Sequence, residues 1–413
     1  MSLLLAPPGL PGRDGVQVLF AEARRRRRRI RLAVLALSSA LAIAAILAGA
    51  AWLSHSAKPG HAGSGHAGTT AAGAAARSPQ VAWVDQNFRL HLGDLATRTQ
   101  HVVTEINADA GMPLVQVAGR LYWINQGGGY LQGAFWPTTV EEINLSTGKS
   151  TGIGPGEFVF PSVDGRHLYI SRTDTSLAEV PVSGPTGRPD ELTLPAGWYL
   201  PAGYSLAVAN GIVVQSNDER AIGHPAQLAV WNPGTGRLQV IGRGVSAPWG
   251  PPLGAVISAY TPPGARYSLL AWMPASCQYP LSCSIRITNT ATLASLTLRS
   301  PFRYGFALGG AFAPDGRQLA VFVNGGPGDG GGTAELAIAD TATGALRVVT
   351  AARYRVGEDI GWVRWLPGGQ QLIAIGVNDP YLVGALNLSV RPLGFVHGGA
   401  DGADFSLTVI LSG

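Results

Sequence analysis

Hydrophobic and polar positions divide the chain into three regimes. Leu32 to Leu53 is one apolar run without a charge (LAVLALSSALAIAAILAGAAWL). Residues 54–79 are nearly all Ala, Gly, Ser, Thr and His. From Gln80 onward, short apolar runs alternate with turns rich in Gly, Pro, Asn and Asp, which predicts many short strands.

The third regime repeats. A turn with Gly, a polar residue and an apolar run appears at Gly119-Arg120-Leu121-Tyr122-Trp123, and again from Asp164, Asn210, Gly264, Asp315 and Gly368. The glycines of these turns, at 119, 165, 211, 264, 316 and 369, are spaced 46, 46, 53, 52 and 53 residues apart. Asp-Gly or Asn-Gly between apolar runs marks a hairpin, because both turn residues must accept positive φ. A second element follows about 28 residues later, a strand ending in a Thr-Gly turn, as at Thr147-Gly148, Thr235-Gly236 and Thr343-Gly344. Each unit therefore reads as four strands, a to d, with tight a–b and c–d turns. Four strands per period of about 50 residues predict propeller blades.

Six turns make six blades, and Val81–Val84 with Phe88–Leu92 supply part of a seventh. The expected fold is an all-β, seven-bladed β-propeller over residues 80–413. Val81–Val84 reads as strand b of blade 1, which then lacks its innermost strand. Blade 7 is expected at 360–365, 371–375, 382–390 and 393–397. The apolar Phe405–Leu411 is left over, and is predicted to be the missing strand a, pairing with 81–84 and closing the ring.

Ala311-Phe312-Ala313-Pro314-Asp315-Gly316-Arg317-Gln318-Leu319-Ala320-Val321-Phe322 resembles the signature of TolB-like propeller repeats, with weaker copies at Phe160–Ile170 and Val363–Ala374. The chain is thus similar to TolB-like and, more broadly, WD-repeat-like propellers, although the Trp-Asp dipeptide of WD blades is absent. The resemblance implies the propeller fold and a role as a platform for protein interactions.

Composition agrees. Of 413 residues only 13% are charged, while Gly and Pro number 56 and 29, which excludes coiled coils and helical solenoids. The net charge of +5 comes from the tail: residues 1–31 carry eight Arg against Asp14 and Glu22. The other 382 residues hold 22 basic and 23 acidic groups, too even a balance to neutralise phosphates, so no nucleic acid is expected as a partner.

At 1.5 Å per residue, 32–53 makes about 33 Å of helix, enough to cross a hydrocarbon core. Arg24–Arg31 lies on one side and the first cation on the other is Lys58, which predicts a cytoplasmic N-terminus and a body outside. The chain then divides into a basic cytoplasmic tail (1–31), a transmembrane signal-anchor helix (32–53), a flexible linker (54–79) and the propeller (80–413). A signal peptide cut after Ala50 is the alternative, but the apolar run exceeds an ordinary signal core. Either way the propeller is extracytoplasmic.

Catalytic signals are weak. No Gly-x-Ser-x-Gly elbow, Cys-x-x-Cys or paired-His spacing occurs, and the tether's His55, His61 and His66 have no carboxylate or thiolate beside them. No catalytic residue, metal or cofactor is expected. Cys277 and Cys283 are predicted to form a loop-stapling disulfide outside the membrane.

Aromatic and Arg residues gather in the b–c and d–a connections: Trp136, Trp198, Tyr199, Trp249, Tyr304 and Arg353 are the candidate ligand-binding set. Plugging the rim is their alternative role. The function expected is a membrane-anchored binding or scaffold module for an envelope protein, peptide or glycan. The alternative is a propeller lyase or hydrolase with its site at the channel mouth.

Overall fold

A computed structural model describes residues 78–410 apart from connecting segments 86–88, 107–113, 126–137, 174, 183–188, 202–205, 217–224, 246–255, 275–283, 299–306, 325–332, 356–361, 376–379 and 396–405. All of these residues belong to one compact unit, Ala75–Gly413.

The described residues form seven four-stranded sheets, each antiparallel throughout. Blade 1 contains β1 (Gln80–Val84), β2 (Arg89–Asp94) and β3 (Gln100–Glu105). Blade 2 is β4 (Val115–Val117), β5 (Arg120–Asn125), β6 (Thr139–Ile143) and β7 (Ser150–Pro155). Blade 3 is β8 (Phe158–Pro161), β9 (His167–Thr173), β10 (Ser176–Pro181) and β11 (Asp190–Thr193). Blade 4 is β12 (Ala207–Val208), β13 (Gly211–Gln215), β14 (Pro225–Trp231) and β15 (Leu238–Val245). Blade 5 is β16 (Val256–Tyr260), β17 (Leu269–Trp272), β18 (Ile285–Asn289) and β19 (Ser295–Leu298). Blade 6 is β20 (Ala307–Phe312), β21 (Gln318–Asn324), β22 (Thr333–Asp340) and β23 (Leu346–Arg355). Blade 7 is β24 (Trp362–Trp365), β25 (Gln371–Ile375), β26 (Tyr381–Gly384) and β27 (Val390–Pro392). The last strand, β28 (Ser406–Ile410), returns to blade 1 and pairs with β1. The chain is a seven-bladed β-propeller, shut as its sequence predicts.

All six predicted a–b turns lie between the first two strands of their blades, and each of the glycines at 119, 165, 211, 264, 316 and 369 has positive φ. The c–d turns share a second device. Asp94, Asn144, Asn232, Asn289 and Asp340 each close their turn by accepting backbone N–H bonds on Oδ1, Asp94 from Ala96 and Thr97 at 2.8 Å each. The fifth residue of each turn then has positive φ. It is Gly148, Gly236 or Gly344 where the sequence shows Thr-Gly, but Arg98 and Leu293 in the other two; Leu388 has the same conformation in the blade 7 turn, which begins at Gly384. These three copies escape a search for glycine.

Two expectations need correction. In blade 3 the b–c connection is the tight one, from Thr173 to Ser176, and the longer connection is c–d, from 182 to 189. In blade 7 the third strand stops at Gly384, and the fourth is Val390–Pro392 instead of 393–397. A turn at 385–389 separates them, with Asn387 Oδ1 accepting from the Ser389 N–H at 3.1 Å. The apolar run there had masked the turn.

The core is not one mass but seven wedges, each drawn from two adjacent blades. Strand b of a blade is buried on both faces. Val81 and Trp83 face blade 7, while Ala82 and Val84 face blade 2. Double burial explains why these strands read as unbroken apolar runs, such as Leu319-Ala320-Val321-Phe322, all fully buried. Strand d, at the perimeter, is largely exposed.

Candidate functional site

The topology sorts the connections onto two rims. The a–b and c–d turns occupy one rim; the b–c and d–a connections occupy the other, here the loop rim. Seven inner strands, β4, β8, β12, β16, β20, β24 and β28, surround the central channel. Together they contain no Asp, Glu, His, Lys or Cys. Their one charged residue is Arg364, whose Nη1 donates to the Val363 carbonyl at 2.9 Å.

The candidate residues are spread around this frame. Trp198 is partly buried, and it packs on the wedge between blades 3 and 4 that contains Phe160, Leu200, Ile212 and Trp231. Tyr199 exchanges both backbone hydrogen bonds with Gln215, at 2.8 and 2.9 Å, so it sits beside the loop-rim end of strand b in blade 4. Arg353 is not in a d–a loop as expected. It lies in β23, opposite Glu335, because the fourth strand of blade 6 runs on to Arg355. Trp136, Trp249, Tyr304, Cys277 and Cys283 lie outside the described residues, as do the tail, the apolar run 32–53 and the linker up to residue 77.

The structure gathers polar groups that the sequence reading left as scattered single residues. In blade 1, His91 stacks on Trp83, with ring centroids 5.0 Å apart and planes 11° apart, and its Nε2 lies 3.0 Å from Asp85 Oδ2. His91 Nδ1 is buried and has no partner. Register alone makes this cluster, since Trp83 and His91 are cross-strand partners.

Blades 2 and 3 carry one arrangement twice. Arg120 Nη1 bonds both Glu142 carboxylate oxygens at 2.8 Å, and Tyr122 Oη donates to Glu142 at 3.4 Å. In blade 3, His167 lies 3.7 Å from Glu179, the cross-strand partner of Tyr169. Burial, with the adjacent glutamate, pushes both phenols up to about 12. Glu142 in turn holds the Arg120 guanidinium above its usual range. These triads join strands b and c next to the tight-turn rim. Their geometry is that of ties between strands.

Arg172 lies in the cleft between blades 2 and 3, with Nε 3.7 Å from Glu191 and a buried Nη1 that has no partner. Gly154 makes room for it: a Cβ there would stand 3.3 Å from Nη1. Among the described residues no group of three or more His, Cys, Asp or Glu is placed to hold a metal ion, and no helix is long and apolar enough to cross a membrane.

Neither a protein-family model nor a curated protein matches the chain. Solved structures do. A provisionally assigned 6-phosphogluconolactonase from Bacteroides uniformis is 11% identical with a TM-score of 0.50, over 81% of this chain and all of the other. A second, from Bacteroides fragilis, is 11% identical with a TM-score of 0.50, over 82% and all of the respective chains. An oligogalacturonate lyase in complex with manganese is 12% identical with a TM-score of 0.48, over 76% and 85%. At such identity the likeness is one of fold, which this chain shares with the two Bacteroides structures.

Proposed function

We propose that this chain is a membrane-anchored, extracytoplasmic β-propeller that binds a protein, peptide or glycan of the cell envelope, in the manner of TolB-like interaction platforms. Residues 32–53 are the single span, 1–31 the cytoplasmic tail and 54–79 the tether. The loop rim, with Trp136, Tyr199, Trp249 and Tyr304, is the binding face; Trp198 and Arg353 support it from the core and from strand β23. In the oxidising exterior Cys277 and Cys283 are bridged.

One observation carries the choice of binding over catalysis. The seven inner strands hold no carboxylate or histidine, so among the described residues they bring no group suited to general acid or base work to the channel. A lyase or hydrolase acting at the channel mouth would need such groups there.

Two measurements test the reading. Protease added to intact cells should digest the propeller while a tag on residue 1 stays protected; a protected propeller overturns the topology. Cross-linking in native membranes should then capture a defined partner whose yield falls with Trp136→Ala or Trp249→Ala. Unchanged capture by both variants would remove the loop rim as the face.

A further inference from the structure

Charge is distributed unevenly around the ring. Residues 220–314 contain seven Arg and not one Asp, Glu or Lys. The rest of 80–413 holds 13 basic residues against 23 acidic ones. The cationic stretch covers β14 and β15 of blade 4, all of blade 5 and the first strand of blade 6. Its described arginines, Arg237, Arg243, Arg266 and Arg286, are all exposed. None of these four is ion-paired to a carboxylate.

Arg243 is on the outer strand of blade 4 and Arg286 on the third strand of blade 5. Gly242 of β15 abuts the Trp272 ring, from which a Cβ would stand only 2.5 Å away, and Arg286 lies over the same ring at 5.6 Å. The perimeter strand β15 is eight residues long (LQVIGRGV) with a single charge, and Val240 is 47% exposed. β11 begins Asp-Glu, β27 ends in Pro, and β23 carries three Arg, the common guards of a free sheet edge. β15 lacks them.

We infer that the perimeter of blades 4 and 5 is a second interaction surface, which takes an extended acidic peptide segment of a partner protein along the free edge of β15. Added as a strand, the peptide makes backbone bonds to β15, sets apolar side chains against Val240, and presents carboxylates to Arg243 and Arg286. Planar guanidinium groups suit carboxylates, which both can grip with two parallel bonds. Sparse arginines around an apolar edge fit a peptide with a few acidic residues. A uniform polyanion needs a denser cationic track.

The test uses the full-length chain in detergent and a fluorescent peptide of alternating Glu and Val, with a Lys-Val peptide and polygalacturonate as controls. The Glu-Val peptide should bind, weaken with added salt, and lose about tenfold in affinity with Arg243→Glu plus Arg286→Glu. Arg243→Glu alone, at a side chain that touches no partner, should give part of that loss at an unchanged melting temperature. Trp136→Ala should leave this binding intact, which separates the surface from the loop rim. No binding of Glu-Val, equal binding of Lys-Val, or no effect of charge reversal overturns the proposal. So does polygalacturonate competing more strongly than the peptide, or a dimer in sedimentation that charge reversal abolishes, since the occupant is then a glycan or the acidic blades of a second copy.

Discussion

Val81 and Val409 stand opposite each other in the antiparallel ladder that closes the ring, although 328 residues separate them. The ladder pairs five residues of β28 with five of β1, and β1 is in turn paired with β2. One sheet thus holds both ends of the propeller.

Removing residues 404–413 should therefore leave β1 with an open edge and blade 1 with three strands. The expected product is aggregated or unfolded, read by size-exclusion chromatography and circular dichroism. Thr408→Pro, which removes the N–H that pairs with Ala82 in the β1–β28 ladder, should destabilise by about 1–3 kcal/mol in urea unfolding. A soluble truncation with wild-type melting would refute the closure's importance.

Leu293 holds φ at 60° in its c–d turn and is 43% exposed, so its side chain contributes little burial to offset the strain. Leu293→Gly should stabilise the propeller by about 0.5–1 kcal/mol, the relief of strain exceeding the added chain entropy of glycine. Gly148→Ala should do the reverse, by about 1–3 kcal/mol: φ is 68° and a Cβ would approach the Val103 carbonyl to 2.6 Å. Urea midpoints measure both.

Tyr122 and Tyr169 make stability fall at high pH. Both phenols are pushed up to about 12, above the ordinary 10 of the unfolded chain, so the folded state favours the protonated form. Their contribution is fully present below pH 10 and is lost as the pH rises from there towards 12. Tyr122→Phe with Tyr169→Phe should flatten the fall of melting temperature across that window. An equally steep fall in the double variant would assign it to other groups.

Trp198→Ala should lower stability by about 2 kcal/mol, because the ring packs on the wedge between blades 3 and 4. Trp136→Ala and Trp249→Ala should leave the melting temperature near wild type if these rings serve the partner. The contrast separates plug from contact.

Thiol labelling of the denatured, unreduced protein isolated from membranes should find neither Cys277 nor Cys283 reactive. Two labelled thiols would show that the bridge does not form.

Local signals in the sequence already determined the number of blades, the six a–b turns, strand b as an apolar run buried on both faces, and the returning strand β28. Each is written in neighbouring residues: a glycine that must take positive φ, or an uninterrupted run too apolar for an edge. The tertiary structure alone decided the rest. Leu293 and Leu388 occupy a glycine's conformation because their blades hold the turn, not because their own preference does. Trp198 packs on the wedge between blades 3 and 4, Arg353 is a strand residue opposite Glu335, and Trp83, His91 and Asp85 form a cluster. These depend on cross-strand register and on which wedge a side chain meets, and both are set by partners distant in the chain, which no local pattern encodes.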